Sequence, residues 1–167
     1  MPEPRAEVCR PEEFRDVYHR VYREPPYDED AAAAEAFAAQ LAEHARLPGF
    51  AVTTVLDGGA LGGFAYGVRR EADWWHPRAV APAPRWLRRP LFYVYELAVV
   101  RELRGRGHGR VLLEALLADR TERYAVLAAS TRAPAHELYR RWGWTKAGEL
   151  AGPPHGVELL ARPLPLP

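Results

Sequence analysis

The chain has 167 residues, 48% of them hydrophobic and 27% charged, with a formal net charge of +1. This is the composition of an ordinary one-domain globular protein with a core of useful size, and so small a net charge gives no reason to expect nucleic acid or an anionic membrane as partner. Cys9 is the only cysteine, which excludes an intrachain disulfide, and no apolar stretch approaches the roughly 18 residues of a membrane span.

The N-terminus, Met1-Pro2-Glu3-Pro4-Arg5, opens acidic and without an apolar segment, so a cytoplasmic location is expected. Ala6–Arg10 reads as a short first strand, with Cys9 a small buried residue in it. Pro11-Glu12-Glu13 opens a helix that runs to about Tyr22 and sets Phe14, Val17, Tyr18 and Val21 on one face. Pro25-Pro26 breaks it, and Asp28-Glu29-Asp30 starts a second, alanine-rich helix from Ala31 to about Arg46. Phe50–Leu56 and Leu61–Val68 read as strands joined by a hairpin turn at Asp57-Gly58-Gly59.

Residues 69–90 carry three tryptophans and four prolines without periodicity, and form an irregular insertion. Leu91–Val100 is apolar enough to be a central strand. A helix from Arg106 or Gly107 to Asp119, a strand at Tyr124–Ala129 and a helix from Pro134 to Trp142 follow, the last capped by Gly143. Trp144–Leu150 and Val157–Arg162 are the last strands, before a Pro-rich tail, Pro163–Pro167. The expected class is therefore α/β (α+β): a mixed central sheet of about seven strands with four helices, in the order β-α-α-β-β-β-α-β-α-β-β, as a single domain over residues 1–167.

Between the apolar strand Leu91–Val100 and the helix beyond lies Arg104-Gly105-Arg106-Gly107-His108-Gly109-Arg110. Glycines at alternate positions free the main chain to take positive φ and to approach a ligand closely, and a helix beginning here aims unpaired N–H groups into the turn. Three readings are open: a basic surface loop touching nucleic acid, a dinucleotide fingerprint, or a cradle for a coenzyme pyrophosphate. The fingerprint needs G-x-G-x-x-G and an acid about 20 residues on; here the glycines run G-x-G-x-G and the next strand ends Ala128-Ala129-Ser130.

Arg104-x-x-Gly107-x-Gly109 fits the Q/R-x-x-G-x-G/A pattern of the GNAT superfamily of acyl-coenzyme A-dependent N-acetyltransferases, and Ala135-x-x-Leu138-Tyr139-x-x-x-Gly143-Trp144 resembles its A-x-x-L-Y-x-x-x-G-F motif. The order of elements is also that of the GNAT fold, so the resemblance covers nearly the whole chain. It implies direct transfer of an acetyl group from acetyl-CoA to a primary amine of a small molecule or peptide, through a ternary complex. The coenzyme would sit on Arg104, Gly105, Arg106, Gly107, His108, Gly109 and Arg110, with backbone groups of Leu97, Ala98 and Val99 along its pantetheine arm.

The chemistry needs a base for the amine and an acid for the departing thiolate. Glu96 is the only charge within Phe92–Val100, where a carboxylate is costly unless paired or used. It is the expected base, the alternative being an ion pair with an arginine of a facing helix. Tyr139 is the expected acid, the alternative being a core tyrosine. Where the family usually has asparagine, seven residues before this tyrosine, the chain has Arg132. His108 should act through its N–H, and His136 reads as a surface histidine. No metal motif and no G-x-S-x-G are present, so neither a metal nor a serine hydrolase is expected.

The resemblance places the acceptor by the first two helices and their connection, Glu24–Asp30, and by the insertion, with Tyr27, Trp75 and Tyr95 as candidate lining. The acidic connection favours a cationic amine, while the Trp- and Arg-rich insertion favours an aromatic or anionic partner, a lid, or a contact between two copies of the chain.

Overall fold

The computed structural model describes residues 10–165, in which the chain forms two compact units: one of the residues up to Val68 with Glu96–Ala118, the other of Arg69–Tyr95 with the residues from Asp119 on. The expected first strand and Cys9 lie outside the described residues, except Arg10, which caps the first helix. Six strands in parallel and antiparallel pairing and four α-helices are described, a mixed α/β fold.

In the first unit, α1 (Pro11–Tyr22) starts with proline at a position that has no intrahelical donor to lose, and a capping box joins Arg10 to Glu13. Its buried face is Phe14, Val17, Tyr18 and Val21, the face that the periodicity predicts. Tyr18 stacks on Phe37 of α2 (Ala31–His44) at 4.2 Å, and Phe14 meets the edge of Phe64 at 5.1 Å. Strands β1 (Ala51–Asp57) and β2 (Ala60–Arg70) pair antiparallel about Gly58 and Gly59, both at positive φ, as a tight right-twisted hairpin requires. Helix α3 (His108–Leu117) buries Leu112, Leu113, Leu116 and Leu117, and its Leu112 carbonyl accepts from Thr53 Oγ1 of β1 at 2.9 Å.

The other unit holds the start of β3 (Leu91–Val99), followed in space by β4 (Tyr124–Ser130), β6 (Val157–Pro163) and β5 (Thr145–Glu149). The parallel β3·β4 ladder covers only Phe92↔Ala125 to Val94↔Leu127, whereas β4 pairs with β6 along its whole length. Between them, Leu91, Val126 and Leu159 are fully buried, and each contributes about 1.5–3 kcal/mol to folding.

Residues 69–90 are not a loose loop. Trp74 meets Tyr93 at 5.0 Å and Trp86 meets Tyr124 at 5.0 Å, while Leu87, in a 3-10 turn over Arg85–Leu87, is fully buried. Val80 donates its N–H to Glu149, and Arg78 fastens its guanidinium to the carbonyls of Ala151 and Pro153, so this segment extends the β5 edge. An edge with few bare donors is also protected from pairing with other chains.

Candidate active site

The Gly-rich turn enters α3 through two glycines in the left-handed region, Gly105 at φ 76° and Gly107 at φ 82°. Gly107 is the N-cap and offers no side chain to the first helical N–H groups, and a Cβ built at Gly105 or Gly107 would meet nothing within 4 Å. The turn thus leaves open space beside its main chain at the start of α3, a form suited to phosphate. Its arginines differ in use. Arg104 donates from Nε to the Val99 carbonyl at 2.9 Å and pairs with Glu24 at 2.7 Å, pinning the turn to the end of β3 and to the α1–α2 connection. Arg106 and Arg110 are exposed, and neither forms an ion pair among the described residues.

Leu97–Val99 lie beyond the last β3·β4 pair. Glycines let β2 run against this stretch: a Cβ at Gly63 would stand 2.9 Å from the Ala98 carbonyl, too close for any side chain. The Val100 N–H donates to Gly62 at 2.9 Å. On the other side of the main chain, the Tyr22 hydroxyl reaches to 3.5 Å from the Leu97 carbonyl.

Glu96 stands in β3, half-buried. Among the described residues it pairs with no arginine or lysine. It accepts instead from the Tyr22 hydroxyl, Oη to Oε2 2.6 Å. Burial pushes the carboxyl up to about 8; the Tyr22 hydrogen bond opposes this and the Glu29 charge adds to it. Glu29 is held in the same way, accepting from Tyr18 at 2.7 Å. Tyr22 lies between Tyr18 at 4.4 Å and Tyr27 at 4.8 Å, and burial, with the nearby Glu96 charge second, raises the phenols of both flanking tyrosines. The acidic connection is therefore largely occupied: Asp30 caps α2 through the Ala33 N–H, Glu29 holds Tyr18, and Glu24 holds Arg104.

Tyr139 belongs to the other unit, on α4 (Pro134–Arg141), and is 8% exposed. The Trp144 N–H donates to its carbonyl at 3.0 Å, the Gly143 N–H donates to Arg140, and Gly143 takes φ 89°. That is a Schellman closure, and the Tyr139 and Trp144 rings, 6.1 Å apart, supply its side-chain contact. The spacing Tyr139-x-x-x-Gly143-Trp144 thus has a helix-ending role whatever the phenol does. Arg132 is exposed, and His136 meets Glu158 at 3.0 Å.

The candidate lining residues are anchored. Trp75 donates to the Ala81 carbonyl at 3.2 Å, and the Tyr95 hydroxyl accepts from Arg70, whose guanidinium lies over Trp74. Sequence reasoning missed Tyr22 and Arg70. Tyr22 had a signal in its helical spacing of four from Tyr18 on a face turned to the strands; Arg70 had none.

A family model described as an acetyltransferase (GNAT) domain matches residues 48–146. A GCN5-like protein acetyltransferase of Mycobacterium tuberculosis is 32% identical over 152 residues, covering 81% of this chain and 74% of its own. Among solved structures, the PaiA N-acetyltransferase of Thermoplasma acidophilum in complex with coenzyme A has a TM-score of 0.62 at 11% identity, covering 92% of either chain. An acetyltransferase from Thermus thermophilus has a TM-score of 0.62 at 16% identity, covering 94% of either chain.

Proposed function

The chain belongs to the GNAT family of acetyltransferases, and from that premise we propose that it moves an acetyl group from acetyl-CoA to a primary amine by direct transfer, with Glu96 as base and Tyr139 as acid. The observation that carries this reading is Glu96: a half-buried carboxylate that pairs with no arginine or lysine among the described residues and is held by a tyrosine, in the strand that leads to the glycine turn. An acid poised near neutral pH suits a group that must accept a proton at working pH.

In this reading the coenzyme pyrophosphate lies on the N–H groups of Gly105–Gly109, with Arg106 and Arg110 adding charge and Arg104 holding the turn in shape. The β3·β4 pairs stop at Val94↔Leu127, which supports a main-chain role for Leu97–Val99 beside the pantetheine arm and the oxyanion, with the Leu97 and Val99 carbonyls already accepting from Tyr22 and Arg104. An alkylammonium with a pKa of about 10.4 must first lose a proton; Glu96 takes it. The neutral amine nitrogen attacks the thioester carbonyl carbon, whose oxygen becomes an oxyanion stabilised by a main-chain N–H. The tetrahedral intermediate collapses with cleavage of the C–S bond, the thiolate takes the phenolic proton of Tyr139, and the cationic nitrogen left by the attack gives up its second proton to the resulting phenolate, directly or through water. The amide forms, coenzyme A leaves, and solvent resets Glu96.

A basic loop that binds nucleic acid has less support, since Arg104 is engaged within the protein. The test is release of free thiol from acetyl-CoA in the presence of amines, amino acids, aminoglycosides and peptides, alongside calorimetric binding of acetyl-CoA. Amine-dependent thiol release is expected; acetyl-CoA that neither binds nor turns over with any amine would overturn the reading.

A further inference from the structure

Resting on Glu96 as the base, we propose that Tyr22 is a positioning residue for the transfer: its phenol grips Glu96 Oε2 and leaves Oε1 to take the amine's proton. The contact at 2.6 Å is the length of a charge-assisted hydrogen bond to a carboxylate. The phenol cannot swing away easily, because its ring is packed against Tyr18 on one side and Tyr27 on the other. Tyr22 is the last residue of α1, so the first helix, remote in sequence from β3, sets the orientation of the base.

The hydrogen bond has a second effect. The groups that face Glu96 in its unit are the Tyr22, Tyr18 and Tyr27 phenols and the Glu29 carboxyl. Burial and Glu29 both favour the protonated acid, and among the described residues Tyr22 favours the carboxylate. Without it, less Glu96 is ionised at neutral pH and fewer molecules hold a competent base.

The test reads the carboxyl directly and needs no acceptor. In protein carrying 13C-labelled glutamate side chains, the Glu96 carboxyl signal is the one missing from Glu96→Gln. Its midpoint should lie near 8 in the native chain. In Tyr22→Phe, which keeps the ring and its packing, the midpoint should rise by about one unit, an approximately tenfold smaller ionised fraction at pH 7. Tyr18→Phe removes a hydroxyl from Glu29 instead and should not raise the midpoint. The acid limb of kcat/KM should shift with the titration in Tyr22→Phe, with the alkaline plateau largely kept.

An unmoved midpoint in Tyr22→Phe, or an equal rise in Tyr18→Phe, would overturn the role of Tyr22 while leaving Glu96 as base. Wild-type turnover in Glu96→Gln would remove the base itself, and the role of Tyr22 with it.

Discussion

The Trp144 N–H closes on the Tyr139 carbonyl at 3.0 Å, so the residue proposed to protonate the thiolate is also the third residue from the end of its helix. One motif performs two separable tasks. Gly143 sits at φ 89° with nothing nearer to a built Cβ than Arg162 Cδ at 3.9 Å. Gly143→Ala should therefore cost about 1–2 kcal/mol through backbone strain alone, read by chemical denaturation. Tyr139→Phe should leave acetyl-CoA affinity intact and lower kcat far more than it changes KM. An unchanged kcat would reduce Tyr139 to its helix-ending role.

At the glycine turn, Gly107→Glu puts a negative charge where a pyrophosphate is proposed to lie, on a backbone at φ 82°. Acetyl-CoA affinity measured by calorimetry should fall tenfold or more, by roughly the strength of one charge-assisted contact or beyond. Gly58→Ala, at φ 58° in the β1–β2 turn, introduces comparable strain and should leave that affinity unchanged. Equal affinity in Gly107→Glu and the native chain would move the phosphate elsewhere.

The arginines of the turn should separate by readout. Arg106→Ala should weaken acetyl-CoA binding without changing the melting temperature, and the loss should shrink as salt rises. Arg104→Ala removes the link between Glu24 and the Val99 carbonyl, and should lower both affinity and melting temperature slightly, since an exposed pair contributes at most about 1 kcal/mol. Identical behaviour of the two variants would contradict the division of labour.

Stability should carry the mark of Glu96 as well. Its folded carboxyl titrates near 8, against an ordinary value of 4.5, so the folded chain binds the proton more tightly than the unfolded one. The stability advantage of the protonated acid is then complete below the ordinary value and is lost as pH rises through the folded one. Relative to Glu96→Gln, the native chain should therefore be less stable at pH 9 than at pH 5, a difference on the order of a few kcal/mol. Denaturation of both proteins at the two pH values checks this.

Local patterns carried most of the fold. The spacing of Phe14, Val17, Tyr18 and Val21, the Asp57-Gly58-Gly59 turn and the Gly143 cap each describe interactions among close neighbours, and each stands where the periodicity puts it. Residues 69–90 were illegible because their order comes from distant partners, such as Tyr93 for Trp74 and Ala151 for Arg78, which no period reveals. The site divides in the same way. The glycine turn and Glu96 stand out in sequence by residue type. The partners that decide their use, Glu24 for Arg104 and Tyr22 for Glu96, are 80 and 74 residues away and meet them only in the fold.

The central claim, that Glu96 takes the proton of an acceptor amine during acetyl transfer, is tested most directly by kcat/KM against pH in the native chain and Glu96→Gln. The native profile should climb to a plateau above an acid limb near pH 8. Glu96→Gln should lose that limb and about 10²–10⁴ in kcat/KM while remaining folded. A variant with near-native turnover and the same limb would contradict the account.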